Sequence, residues 1–130
     1  MRHQDLANRL CELTNQWINA HSQQRAPIFS QDHDFFARQF FSRLYYALFH
    51  KCLEQNQELA NSEASNKHEI IEKKLQQSNN DKVYQLFKSL KFLRVWADYQ
   101  LGDPPESIKP DRMKYRQYQV YKILQQNFSF

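Results

Sequence analysis

The chain has 130 residues, of which 41% are hydrophobic and 25% are charged, values typical of one soluble globular domain. It contains a single glycine, Gly102, which excludes β-rich folds and phosphate-binding loops such as GxGxxG, because both need several glycines. The 18 basic and 14 acidic residues give a net charge of +4, which favours an anionic partner. No apolar run approaches the roughly 20 residues of a membrane helix, and no apolar signal region follows the N-terminus. We therefore expect a cytoplasmic protein without a membrane partner.

Apolar residues recur at helical spacing along the chain, so the sequence predicts an all-α fold. In the first helix they lie four, three and four positions apart, at Leu6, Leu10, Leu13 and Trp17. The predicted helices span about 4–20, 34–57, 66–77, 81–102 and 111–126. Residues 58–65 are small and polar and are expected to form a loop. No repeat or second domain is visible, so the prediction is a single bundle of four to five helices over residues 1–130.

Polar residues mark where the predicted helices begin and end. Asp32 or Asp34 is expected to cap the second helix, and Asn66 followed by Glu69 has the spacing of a capping box for the third. Gly102 is expected to form the C-terminal cap of the fourth helix. Apolar residues cover most of the circumference of the second helix. We expect this helix to be central, buried by the rest of the domain on one side and by a second chain on the other.

Arg43 and His50 are polar residues within the largely apolar stretch 42–50 (SRLYYALFH) of the second helix. Seven residues is nearly two helical turns, so both side chains leave the same face. An arginine binds phosphate and a histidine transfers protons near neutral pH, so the two can cleave RNA without a metal. His50 would take the proton of a 2′-OH or protonate the leaving oxygen, and Arg43 would stabilise the phosphorane. The alternative is structural: Arg43 pairs with an acidic residue, and His50 joins a local hydrogen-bond network.

Neither a metal ion nor another cofactor is expected. The chain has no CxxC pair, and residues 68–72 (HEIIE) lack the second histidine of the zinc motif HExxH. None of the five histidines has a glutamate three residues before it, which excludes the Glu-x-x-His pairs of di-iron bundles.

Three segments resemble the HEPN family in sequence and in order. Residues 42–50 resemble its signature SRxYYAxFH, and residues 67–71 resemble the short segment that begins its third helix. Residues 93–99 resemble the R-x-x-ADY ending of its fourth helix. The match covers about residues 32–126. The resemblance implies a small up-and-down helical bundle that usually forms a homodimer.

In active HEPN members, an Arg-x4-6-His pair from each subunit lines a shared cleft and acts as a metal-independent ribonuclease. Such proteins often act as toxins or in phage defence, beside a nucleotidyltransferase antitoxin. Arg43 and His50 match that pair with six intervening residues, and Tyr46 between them is expected to orient them or to contact RNA. Other members are non-catalytic modules, and Leu44 stands where active members commonly carry a polar residue. The alternative is therefore a module that binds a nucleotidyltransferase or another partner through the aromatic face of the second helix.

The fourth-helix motif contributes three residues that we expect to act as supports: Arg94, Asp98 and Tyr99. Asp98 is expected either to pair with Arg94 four residues before it or to reach Arg43 from the neighbouring helix. The structural alternative is an ion pair on the helix surface.

Cations alternate with tyrosines on the last helix. The predicted RNA-binding residues are Arg112, Lys114, Tyr115 and Arg116. Cations meet phosphates and tyrosines stack on bases, which is the combination that a nucleic-acid surface needs. The fourth helix extends this basic field with Lys82, Lys88, Lys91 and Arg94. The alternative is a solvated face whose tyrosines lie at the edge of the core.

Overall fold

A computed structural model describes residues 1–23, 31–105 and 108–130. In these ranges it contains six α-helices and no strand, which confirms the all-α prediction and adds one short helix to it. The helices are α1 (His3–Gln23), α2 (Gln31–Glu54), α3 (Gln57–Ala60), α4 (Lys67–Gln77), α5 (Asp81–Tyr99) and α6 (Pro110–Leu124). None of the described helices combines the length and the apolarity that crossing a bilayer requires.

The core surrounds α2, which contacts all five other described helices. The largest fully buried side chains of α2 are Phe40, Phe41, Leu44, Tyr45 and Leu48. The other helices bury Ile18, Ile71, Phe87, Leu90, Trp96 and Met113 in the same core. The chain's own helices therefore account for the apolar circumference of α2. Most of its aromatic side chains lie in the core, and Phe35 is exposed.

The start of α2 differs from its prediction. The helix begins at Gln31, so Asp32 and Asp34 lie in its first turn and do not cap it. Carboxylates are favourable in a first turn because they face the positive end of the helix dipole. Asp34 also accepts a hydrogen bond from Nε of Arg38 at 2.8 Å, one turn further along.

The loop predicted for residues 58–65 is wrong at its start, where α3 forms one helical turn. The side chain of Asn56 accepts a hydrogen bond from the backbone N–H of Leu59 at 3.2 Å, and the Leu59 side chain is buried. Local capping and one buried leucine are enough to form the turn. At α4, Asn66 occupies the cap position without a side-chain capping bond, so the predicted capping box is not formed.

The end of α5 also differs from its prediction. The helix ends at Tyr99, and its cap is Gln100 in extended conformation rather than Gly102. Arg38 of α2 supplies the missing donors. Its Nη1 donates to the carbonyl of Trp96 at 2.9 Å and also to the carbonyl of Gln100. Its Nη2 donates to the carbonyl of Gly102 at 3.3 Å. The guanidinium also lies 4.3 Å from the centre of the Trp96 ring. One arginine therefore satisfies the carbonyl end of α5 and fixes α5 to α2.

Two histidine pairs join α1 to α2. His3 contacts His50 near the start of α1, and His21 contacts His33 near its end. Nε2 of His33 donates to the backbone carbonyl of Ile108, and Nδ1 of the same ring lies 2.5 Å from Nε2 of His21. Both ends of α1 are thus held by contacts between imidazoles.

Candidate functional site

Arg43 and His50 lie on one face of α2, as their spacing predicts, and both side chains are half-buried. Tyr46 lies between them on the same face. In the part of the chain that the structure describes, the Arg43 guanidinium makes no hydrogen bond or ion pair. The acidic partner that a purely structural role predicts is therefore not found in these ranges. A guanidinium with open donors is suited to bind an anion.

His50 contacts a second histidine from the start of α1. Its Nδ1 lies 2.8 Å from Nδ1 of His3, and the two rings stack with centroids 5.0 Å apart. Where His50 is the donor in this contact, its Nε2 carries a lone pair, and Nε2 makes no hydrogen bond among the described residues. No sequence pattern links these two histidines, which are 47 positions apart, so sequence analysis missed His3.

The surroundings of His50 keep it neutral at pH 7. The pKa of His50 is lowered to about 4, chiefly by burial and in smaller part by the nearby His3 and His68. A neutral imidazole can accept a proton, but a pKa this low makes it a poor proton donor at pH 7. Of the two proton-transfer roles predicted for His50, the lowered pKa fits proton acceptance better than proton donation.

His68 extends this aromatic cluster from the start of α4. Its ring stacks on Phe49 with centroids 3.9 Å apart, and its Nδ1 accepts a hydrogen bond from the Tyr45 hydroxyl at 2.6 Å. Burial lowers the pKa of His68, and two nearby cations lower it further. The only sequence signal was its place in the segment 67–71, and folding of α4 onto α2 brings it beside His50.

Arg94 on α5 holds two of the predicted supporting tyrosines. Its Nη2 donates to the hydroxyl of Tyr46 at 2.8 Å and to the hydroxyl of Tyr99 at 3.2 Å. The guanidinium also lies 5.4 Å from the centre of the Tyr46 ring. The orientation of Tyr46, between Arg43 and His50, is therefore fixed from α5.

Asp98 pairs with Arg94 rather than reaching Arg43, which decides between its two predicted partners. Its Oδ2 lies 3.1 Å from Nε of Arg94, whose N–H is not directed at the carboxylate, so the contact is an ion pair without a hydrogen bond. The Ser42 hydroxyl donates to the same oxygen at 3.3 Å. Asp98 thereby connects α5 to α2 one residue before Arg43.

The predicted RNA-binding residues of α6 divide between two sides of the helix. Tyr115 and Arg116 line a cleft between α5 and α6, and Arg112 and Arg116 line a smaller hollow beside it. Lys114 is exposed and lines neither. Successive residues of a helix are rotated by about 100°, which turns Lys114 away from Tyr115. The four residues do not form one surface.

The basic field predicted on α5 is smaller than its four cations suggest. Lys82 lines the cleft between α5 and α6. Lys91 forms an ion pair with Glu72 at 2.6 Å, and Arg94 is engaged by the tyrosines and by Asp98. Lys88 is exposed and does not line the cleft.

In the described ranges, no three His, Cys, Asp or Glu side chains are grouped so that they could hold a metal ion. No family model matches this chain, and no curated protein or solved structure matches it.

Proposed function

We propose that this protein is a metal-independent ribonuclease of the HEPN type, in which Arg43 binds the scissile phosphate and His50 activates the 2′-OH. One observation carries the proposal. A guanidinium without a partner among the described residues and a neutral imidazole lie on the same face of one helix, both partly accessible to solvent. The resemblance of residues 42–50 and 93–99 to HEPN motifs supports it.

The reaction needs a proton acceptor and an anion-binding group. Nε2 of His50 accepts the proton of the 2′-OH, the 2′ oxygen attacks phosphorus, and the P–O5′ bond breaks. The products are a 2′,3′-cyclic phosphate and a 5′-OH, whose oxygen takes its proton from water, and His50 then returns its proton to the hydroxide that this leaves. Arg43 stabilises the additional charge of the phosphorane. The bound phosphate raises the pKa of His50 because an anion favours the imidazolium form.

The neighbouring residues hold this pair in place. In this mechanism His50 is the donor in its contact with Nδ1 of His3, which holds the ring and leaves the lone pair of Nε2 for the 2′-OH. Arg94 fixes Tyr46, and Asp98 fixes Ser42. In a homodimer of the HEPN kind, two such pairs would line a shared cleft, and a nucleotidyltransferase antitoxin would be the partner that controls them.

The test is cleavage of a labelled RNA by the His50→Ala variant. We expect cleavage to fall at least about 100-fold, because a positioned general base contributes about 10²–10⁴-fold. His21→Ala is the matched control, since it removes a histidine from the other pair that joins α1 to α2. EDTA should leave cleavage unchanged, and a 2′-deoxy nucleotide at the cleavage site should abolish it. Unchanged cleavage by a folded His50→Ala protein would overturn the assignment.

The second candidate function is a non-catalytic HEPN-type interaction module. The observation that favours it is the pKa of His50 near 4, which leaves the imidazole a weak base at pH 7. Under this function the purified protein cleaves no RNA, and His50→Ala changes only stability or assembly.

A further inference from the structure

A cleft runs between α5 and α6, two helices that both pack on α2. Its volume is about 620 Å³, and a hollow of about 290 Å³ continues it along α5. The two spaces share Ser89 and Arg116. Ten residues of α6 separate Arg112 in the hollow from Lys122 in the cleft, about 15 Å along the helix. The combined track is long enough for a few nucleotides.

Exposed aromatic rings line this track. Tyr115 and Tyr118 lie in the cleft with 60% and 54% of their surface accessible, and Phe92 lies in the hollow with 61% accessible. These rings contribute little to the core, and large exposed apolar side chains grouped in one groove mark interaction sites. Ring faces of this kind accept unstacked bases without sequence preference.

The charges of the track suit a polyanion. Lys82, Arg116 and Lys122 line the cleft, and Asp81 is the acidic residue among its described lining. Nζ of Lys122 lies 5.4 Å from the centre of the Tyr118 ring, so a cation and a stacking surface stand side by side. The hollow adds Arg112. Cations beside exposed rings match the alternation of phosphates and bases in a single strand.

We propose that this track binds single-stranded RNA, with bases stacked on Tyr115, Tyr118 and Phe92 and phosphates held by the lysines and arginines. A duplex buries its base faces and cannot use the rings. The inference rests on the proposed ribonuclease and deepens it, because it makes a single strand the form of RNA that the protein takes. It adds a binding site on α5 and α6 that is separate from Arg43 and His50 on α2.

The test is fluorescence anisotropy with a labelled 2′-O-methyl oligouridylate, which cannot be cleaved because it lacks a free 2′-OH. We expect Lys122→Glu and the double variant Tyr115→Ala/Tyr118→Ala each to raise Kd at least tenfold. The matched controls on the same helix are Lys114→Glu and Tyr121→Ala. Both side chains are exposed and lie outside the cleft, so both variants should bind within about twofold of the parent.

Four results would overturn the inference. Three of them are no binding of the oligonucleotide, equal weakening by the control variants, and equally tight binding of a hairpin duplex. A fourth is a dimer that the double tyrosine variant converts to a monomer in sedimentation, which would make the cleft an interface between copies of this chain. Failure of the ribonuclease is distinguishable, because binding is measured without cleavage. A protein that cleaves no RNA but binds the oligonucleotide through the cleft contradicts only the proposed ribonuclease function. A protein that cleaves RNA but whose binding is unchanged by the cleft variants contradicts only the proposed binding site.

Discussion

α5 meets α2 and α6 in two different ways. Against α2 it buries Phe87 and Trp96, and Arg38 closes the end of the helix. Toward α6 it leaves the cleft, in which Tyr115 and Tyr118 remain exposed, and the adjoining hollow, in which Phe92 remains exposed. One helix therefore carries the stability of the domain on one face and keeps accessible side chains on another. Substitutions on the two faces should separate stability from binding.

The largest expected effect comes from a pair of phenylalanines on α5. Phe87 is fully buried, with its ring centre 5.4 Å from that of Tyr45, whereas Phe92 is mostly exposed. Phe87→Ala should lower the free energy of unfolding by about 3–5 kcal/mol, because it leaves a cavity beside α2. Phe92→Ala should change it by less than about 0.5 kcal/mol. Urea unfolding of both variants measures this, and similar losses would show that the cleft face also supports the core.

A smaller effect is expected at Arg38, which joins α2 to the end of α5. Arg38→Ala removes its hydrogen bonds to Asp34 and to the carbonyls of Trp96 and Gly102, and should lower the free energy of unfolding by about 2–3 kcal/mol. Arg38→Lys should recover little of this, because an ammonium lacks the planar fork. Urea unfolding of the lysine variant is the decisive measurement. Stability equal to that of the parent would mean that charge alone holds the junction.

The contact of α1 with α2 differs from the contact of α5 with α2 because its contribution to stability should depend on pH. The pKa of His50 is about 4, lowered from about 6.5 in an unfolded chain chiefly by burial and in smaller part by His3 and His68. The unfolded chain therefore binds the proton first, so stability is full above pH 6.5 and falls as the pH drops toward 4. The loss should be about 1–2 kcal/mol, since partial solvent access reduces the full linkage value.

Urea unfolding at pH 7 and pH 4.5 measures this loss, and His50→Gln is the comparison variant. Glutamine does not titrate, so the variant should lose less stability on acidification than the parent. Equal acid losses would assign the effect to other groups.

Local patterns were enough to predict much of the fold. The apolar period indicated α1, α2, α4, α5 and α6 as helices. In α1 it indicated the wrong stripe: the predicted Leu6, Leu10, Leu13 and Trp17 are half-buried, and the buried residues are Ala7, Cys11, Thr14 and Ile18, each one position further along. The other errors lie at helix ends, where partners come from elsewhere in the chain. The carbonyls at the end of α5 accept hydrogen bonds from Arg38, which lies more than 50 positions earlier in the chain. No local sequence pattern predicts that contact.

In the candidate site, too, the local features were predictable and the contacts between distant residues were not. The face shared by Arg43 and His50 follows from helix geometry alone, and so does the separation of Lys114 from Tyr115. His3 was not predictable, because the start of α1 reaches the end of α2 only after folding. The cleft was not predictable either, since helical spacing gives the direction of a side chain and not the gap between two helices.

Gly102 does not form the C-terminal cap of α5 that its residue type suggested. Its backbone does not adopt the left-handed conformation, and a Cβ placed on it would meet no atom within 4 Å. What the fold uses there is the carbonyl, which accepts from Nε1 of Trp96 at 3.0 Å and from Arg38. Every residue type has that carbonyl, so the chain's one achiral residue can be exchanged for alanine. A version of the domain built wholly from chiral amino acids should fold, with fewer unfolded conformations competing against it.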